Sequence, residues 1–145
     1  MKSTLIHSRR GFCATLSLVV LTAISLTAPA ASAKDGETRF RTPLAGAAIA
    51  GQTPHGHADF RIESDRGRTK FNVEVEDVNL AQGVKLDVVV MSGGTATKVG
   101  VIELDADHFG ELELTSQDGD HVPSIKKGDI VMVMNGNAAI LTGAF

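Results

Sequence analysis

The sequence contains no tryptophan, no tyrosine and only one cysteine in its 145 residues. Because that cysteine is Cys13, near the N-terminus, the rest of the chain cannot form an intramolecular disulfide, a thiol nucleophile or a thiolate metal site. The lack of tryptophan and tyrosine also argues against a carbohydrate-binding module that stacks sugars on exposed rings. Stability must therefore come from a core of aliphatic residues and phenylalanine.

The first 33 residues have the three parts of a secretory signal peptide. Three basic residues and no acidic residue precede Phe12 to Leu26, an uncharged apolar stretch of 15 residues, and the segment ends in Ala31-Ser32-Ala33. A transmembrane helix would need about 20 apolar residues. We therefore expect cleavage after Ala33, or alternatively after Ala30, and a periplasmic or secreted product without a membrane span.

Two export routes are compatible with the sequence, the twin-arginine route and the general secretory route. Ser8-Arg9-Arg10-Gly11-Phe12 resembles the twin-arginine export signal, although Cys13 and Ala14 depart from its usual Leu-Lys ending. In the general secretory route the two arginines would serve as ordinary positive charges. Both routes lead out of the cytoplasm.

Acidic residues predominate beyond the expected cleavage site. All 17 Asp and Glu but only 11 of the 14 Lys and Arg follow Ala33, which gives a net charge of −6. Nucleic acids and anionic membranes are bound through clusters of Lys and Arg. We therefore expect no nucleic-acid partner, and instead another protein or a small ligand.

Apolar residues recur at every second position from about residue 69 onward. In Lys70 to Val78, three apolar residues (Phe71, Val73 and Val75) alternate with polar ones, which predicts a strand with one buried face. No window has the apolar spacing and caps of an amphipathic helix. The other predicted strands are Val84–Met91, Lys98–Leu104, Phe109–Thr115, Asp129–Met134 and Ala138–Phe145.

Glycine-containing turns separate these segments, at Asp65-Arg66-Gly67-Arg68, Ser92-Gly93-Gly94-Thr95 and Asn135-Gly136. About seven to nine short strands with such turns predict an all-β fold. The fold is either an antiparallel β-sandwich of the immunoglobulin-like type or a small closed barrel. We expect a flexible N-terminal segment at 34–41 and a single β-sandwich domain at 42–145.

The chain resembles an uncharacterised family of small exported bacterial β-domain proteins over nearly all of its mature length. This resemblance implies an exported β-domain and brings no active site with it. The segments that carry it are Val75-Glu76-Asp77-Val78-Asn79-Leu80, Gly110-Glu111-Leu112-Glu113-Leu114, Asp118-Gly119, Val122-Pro123, Gly128-Asp129 and Leu141-Thr142-Gly143-Ala144-Phe145.

Two histidines and an aspartate form a candidate metal site. His55, His57 and Asp59 are two residues apart, so they share one face if this segment is a strand. Imidazole nitrogens and carboxylate oxygens can bind Zn²⁺ or Cu²⁺. A periplasmic metal-binding protein is therefore the alternative function, with a further ligand from His108 or His121. The simpler interpretation is a polar loop whose histidines face water.

Two similar acidic segments, Asp105-Ala106-Asp107-His108 and Asp118-Gly119-Asp120-His121, flank one predicted strand. Alternating acidic residues can bind Ca²⁺, but Asp and Gly also stabilise ordinary turns through local hydrogen bonds. We interpret both segments as turns.

Two motifs of common hydrolases, Gly-x-Ser-x-Gly and His-Glu-x-x-His, are absent. The sequence therefore favours a non-enzymatic exported module that acts by binding or by assembly. Homo-oligomers could form by pairing of exposed strand edges, for which the apolar terminal strand ending in Phe145 is the sequence-based candidate.

Overall fold

The computed structural model describes residues 30–34 and 36–145, and these residues form one antiparallel sheet of nine strands. Two short 3₁₀ turns, Ser64–Arg66 and Ser116–Asp118, interrupt it. Within the described residues no helix has the length and hydropathy needed to span a membrane. The strands are β1 (Ala30–Lys34), β2 (Glu37–Ala45), β3 (His55–Glu63), β4 (Arg68–Glu76), β5 (Lys85–Ser92), β6 (Thr95–Glu103), β7 (Gly110–Thr115), β8 (Ile130–Asn135) and β9 (Ala138–Ala144).

The sheet curls into a nearly closed barrel. Its strand order is β6-β5-β8-β9-β2-β3-β4-β7, with β1 paired to β2. The two end strands approach through glycines: a Cβ on Gly100 would lie 2.5 Å from Leu112 Cδ2, and one on Gly110 would lie 2.4 Å from Ile102 Cγ2. Side chains of each end strand therefore occupy space left by glycines of the other. The predicted all-β class is confirmed, and the barrel is the alternative that fits.

The core follows from the alternation read in the sequence. In β4, Phe71, Val73 and Val75 point inward and are fully buried. Over residues 36–145, where burial is described, the buried apolar residues lie between Leu44 and Phe145. The remaining members are Ala58, Phe60, Val78, Leu86, Val88, Val90, Ile102, Leu104, Ile125, Val131, Val133 and Leu141.

The three predicted turns are present and connect hairpins. Gly93 and Gly94 join β5 to β6 with φ angles of 57° and 84°, values that suit the primed turns of tight hairpins. Gly136, with a φ of 59°, joins β8 to β9. Gly67, with a φ of 57°, joins β3 to β4. The three hairpin turns predicted from glycine are therefore confirmed.

The N-terminal part of the sheet differs from the expectation of a flexible segment at 34–41. Glu37 to Arg41 form the first half of β2 and pair with β3. Phe40 stacks on Phe60, with 6.3 Å between the ring centroids. Cross-strand contacts of this kind stabilise a strand whose own sequence is mostly polar.

The terminal strand also differs from the expectation that it offers a free edge for oligomer formation. β9 lies between β8 and β2. Phe145 is buried at 3% exposure, and its N–H donates to the carbonyl of Asp129 at 2.9 Å. The apolar C-terminus therefore completes the core of its own chain.

Candidate functional site

The predicted metal-site residues lie on the outward face of β3, as their spacing requires. His57 Nε2 is 3.9 Å from Glu74 Oε2 on the neighbouring strand β4. His55 is half exposed, with Nε2 at 3.7 Å from Glu76 Oε2 and Nδ1 at 3.5 Å from Asp77 Oδ2. The two ring nitrogens of His55 therefore face different carboxylates, whereas a metal ion would use one nitrogen.

The third residue of this set, Asp59, is held by an arginine of β2. Arg39 Nε donates to Asp59 Oδ2 at 2.8 Å, and the Nη2 of Arg39 contacts the same oxygen. This hydrogen bond raises the pKa of Arg39 above its ordinary value, despite partial burial that acts in the opposite direction. Across the described part of the chain, no group of three or more His, Cys, Asp or Glu side chains is arranged to hold a metal ion.

We therefore expect no saturable binding of Zn²⁺ or Cu²⁺ at micromolar metal. Isothermal titration calorimetry of the mature domain beside a His55→Ala/His57→Ala double variant checks this expectation. Tight binding to the unaltered protein that disappears in the double variant would instead establish the metal site, with Asp59 released from Arg39.

The two acidic segments are turns at the two ends of β7. Asp105 Oδ1 accepts hydrogen bonds from the N–H groups of Asp107 and Phe109, at 2.8 and 2.9 Å. At the other end, Asp120 Oδ2 accepts from the N–H of Thr115 at 2.9 Å. Each aspartate thus stabilises local backbone, the ordinary role of Asp in turns. His108 also lies in the first turn, with Nδ1 3.1 Å from the carbonyl oxygen of Leu80.

A buried carboxylate surrounded by arginines lies at the β3–β4 hairpin. The side chain of Glu63 is 7% exposed, and its Oε2 accepts from Arg68 Nε at 2.9 Å. Arg66 and Arg61 lie 3.5 and 3.7 Å from the same carboxylate. Burial raises the pKa of Glu63. The hydrogen bond and charge of Arg68 and the charges of Arg66 and Arg61 together lower it by more, so the net pKa is below 4.5.

Glu63→Gln is expected to lower the free energy of unfolding at neutral pH by removing this pairing. Because the folded state holds the pKa of Glu63 below 4.5, the stabilisation is complete above that pH and is lost as the pH falls through the folded value. Urea unfolding of both proteins at several pH values measures the difference. The matched control is Glu103→Gln, whose side chain is 63% exposed. A deficit that stayed constant into strong acid would contradict this assignment.

A concave surface lies at the end of the barrel where the β3–β4 and β5–β6 hairpins turn. The segment Asp120 to Ser124 crosses this end, which we call the barrel mouth, and divides it into two clefts. The segment is anchored on one side by Asp120, which bonds to Thr115, and on the other by Ile125, which is buried at 5% exposure. A fixed segment with open space on both sides therefore covers the mouth.

The larger cleft, of about 450 Å³, lies on the β5–β6 side of this segment. Val90, Ser92 and Thr97 share the inward face of the hairpin there, because Val90 pairs with Thr97 and side chains alternate. The cleft therefore combines apolar walls with hydroxyl groups. Its lining is Val90, Ser92, Thr95, Thr97, Lys98, Val99, His121, Pro123 and Ser124.

The smaller cleft, of about 350 Å³, lies on the β3–β4 side and shares His121, Pro123 and Ser124 with the first. Its walls include Phe60 and Ile62, and Ile62 is 36% exposed. Ile62 therefore presents exposed apolar surface inside a cleft, where a ligand can cover it. The two clefts together form a divided pocket at the barrel mouth.

No protein-family model matches this chain, and the curated proteins contain no significant match to it. The function must therefore be argued from the geometry of the chain itself.

The charged outer surface contains a third depression, of about 250 Å³, between Arg39 and Glu113. Its ionic groups are bonded to one another: Lys70 Nζ donates to Glu113 Oε1 at 2.8 Å, and Arg39 holds Asp59. Such mutual pairing is typical of a solvated surface. We therefore place the candidate site at the barrel mouth.

Sequence reasoning did not find the mouth. Its residues come from hairpins and a loop that are distant in the chain, so no single segment of the sequence marks them as one site. The signals in the sequence at these positions are the glycine pair Gly93-Gly94, which follows β5, and Pro123. Those signals predict turns and do not predict which turns share one end of a barrel.

Proposed function

We propose that this protein is a non-enzymatic exported binding module whose ligand site is the barrel mouth. The observation that supports this proposal most directly is the pair of clefts, about 450 and 350 Å³, on the two sides of the segment Asp120 to Ser124. Ligand pockets commonly enclose about 300–1,000 Å³, and barrel mouths are one of their usual positions.

The lining indicates the kind of ligand. Val90, Val99 and Pro123 offer apolar contact on one side of the segment, and Phe60 and Ile62 offer it on the other. Hydroxyl groups of serine and threonine supply hydrogen bonds beside these walls. The ligand is therefore a small molecule with an apolar body and a few hydrogen-bonding groups.

The charges at the mouth favour a ligand without strong ionic character. Lys98 Nζ is bonded to Asp87 Oδ1 at 2.7 Å, so its charge is already paired on the outer surface. The Asp120 carboxylate accepts a backbone hydrogen bond, which orders the turn. The remaining ionisable group of the lining, His121, is exposed to water.

Two properties of the sequence support an extracytoplasmic binding role. The first 33 residues have the pattern of a cleavable signal peptide, and the resemblance is to exported β-domains. The hydrolase motifs Gly-x-Ser-x-Gly and His-Glu-x-x-His are missing as well. Metal binding by His55 and His57 is the alternative function, and saturable binding in the metal titration above would favour it over the barrel mouth.

Fluorescence titration with N-phenyl-1-naphthylamine, an uncharged apolar probe, tests the site. We expect saturable binding of one probe molecule per chain. Thr97→Arg in the larger cleft and Ile62→Lys in the smaller one should each weaken binding at least about tenfold, because each places a long charged side chain in the apolar volume.

Two matched controls carry the same substitutions outside the mouth. Thr142→Arg alters an exposed threonine of β9, and Val101→Lys alters an apolar residue of β6 that is 39% exposed. Both should bind the probe as the unaltered protein does. Equal weakening by the controls, or no saturable binding at all, would reject the mouth as the site.

A further inference from the structure

The strand β1 occupies a particular position beside β2. It pairs with β2 from Ala30 opposite Arg41 to Lys34 opposite Glu37. On the same edge of β2, β9 pairs at Ala45, and Thr42 Oγ1 donates to the carbonyl of Ala144 at 2.8 Å. β1 therefore continues the line of β9 and covers the part of the β2 edge that β9 does not reach.

Cleavage after Ala33 would remove Ala30 to Ala33, four of the five residues of β1. The edge of β2 from Glu37 to Arg41 then loses its neighbour, and its backbone N–H and C=O groups face solvent. The described core residues, from Leu44 to Phe145, lie outside the removed segment. A free edge of this kind is a template for pairing with another chain.

We propose that a second copy of the processed chain pairs with this edge, so that two β2 strands lie antiparallel across a twofold axis. The proposal rests on export and cleavage and does not depend on a ligand at the mouth. Removal of the leader thereby controls assembly: β1 blocks the edge in the precursor, and processing exposes it.

The charges along β2 favour this self-pairing over pairing with an unrelated strand. With Arg39 at the twofold axis, Glu37 of each copy lies opposite Arg41 of the other. Both side chains are on the outward face, since they alternate with the half-buried Phe40 and the buried Thr42. The central arginines would repel, but each is held by the Asp59 carboxylate of its own chain. Glu37 also lies 3.2 Å from Arg61 of its own chain, so in the dimer its carboxylate lies between Arg61 and the Arg41 of the other copy. The outcome is two complementary cross-strand ion pairs.

Size-exclusion chromatography with light scattering, over a range of concentrations, tests the proposal on two chains. One begins at Lys34, as after processing, and the other begins at Ala30 and keeps β1. We expect the first to dimerise with rising concentration and the second to stay monomeric. Far-ultraviolet circular dichroism of both confirms that each is folded.

Charge variants of the chain that begins at Lys34 test the register. Arg41→Glu should weaken the dimer at least about tenfold, because it places two glutamates opposite each other at both ends. The double variant Glu37→Arg/Arg41→Glu should restore it. Lys85→Glu, at a side chain that is 67% exposed on β5, should leave it unchanged.

Three outcomes would overturn the proposal: a processed chain that stays monomeric, a dimer that forms equally with β1 present, or a dimer indifferent to Arg41→Glu. Binding of another protein at this edge by a monomeric processed chain would also overturn it in favour of that partner. Probe binding at the mouth by the monomer would leave the proposed function intact, so the two failures are distinguishable.

Discussion

Phe71→Ala is expected to lower the free energy of unfolding by about 3–5 kcal/mol. Phe71 is fully buried at the centre of β4, where it pairs with Phe60 of β3 and Leu114 of β7. Removing its ring leaves a cavity between three strands that a closed sheet cannot easily collapse. Single domains of this size have a stability of about 5–15 kcal/mol, so this variant loses a large share of the total.

Urea unfolding followed by circular dichroism measures this loss. Phe109→Ala is the matched control, because it removes the same atoms from a half-buried position in the turn before β7. We expect the loss at Phe109 to be clearly smaller. Equal losses at the two positions would mean that the alternation in β4 does not point Phe71 into the core.

Gly56→Ala is expected to cost about 3 kcal/mol although it adds one carbon atom. A Cβ at Gly56 would lie 2.1 Å from the carbonyl oxygen of Glu74, which is backbone of the neighbouring strand. The strands β3 and β4 would have to separate locally, which strains their paired hydrogen bonds. Substitutions that collide with a flexible side chain are milder, because the side chain can rotate.

Thermal or urea unfolding of Gly56→Ala beside His57→Ala isolates this effect. His57 is the next residue of β3, but it points outward and its nearest carboxylate is 3.9 Å away. Its replacement should change stability by no more than about 0.5 kcal/mol. A Gly56→Ala protein as stable as the unaltered one would contradict the close approach of β3 to β4.

The strands after residue 69 were predictable because their inward positions carry large apolar residues. Phe71, Val73 and Val75 alternate with charged residues, and the register of β4 follows from that alternation alone. The boundaries in the structure differ from the predicted ones by at most three residues. Glycine pairs located the hairpins, since only residues that tolerate positive φ suit such turns.

The strands β2 and β3 were harder to predict from the sequence, because several of their inward residues are small or polar. The inward set of β3 includes Gly56 and Ala58, and that of β2 includes Thr42. Neither set produces strong hydrophobic alternation. These strands form because neighbouring strands supply Phe60 for Phe40 and Asp59 for Arg39. Such cross-strand pairs depend on the strand order and register, which the local sequence does not reveal.

The candidate site depended on the same non-local information. His55, His57 and Asp59 were correctly expected to share a face if the segment is a strand, but the sequence did not show that Arg39 binds the aspartate. The barrel mouth joins Thr97, Ile62 and Pro123, which are far apart in the chain. Closure of the sheet brings them to one end, and no local pattern records that closure.

The central claim is that the barrel mouth binds a small apolar ligand, and amide chemical-shift mapping tests it most directly. Titration of the ¹⁵N-labelled processed domain with N-phenyl-1-naphthylamine should shift amides of Ser92, Thr97, Val99, Ile62 and Val122, while those of β9 and of the His55–His57 face stay in place. Shifts centred on β9 or on the histidine face, or spread evenly over the domain, would contradict a ligand site at the mouth.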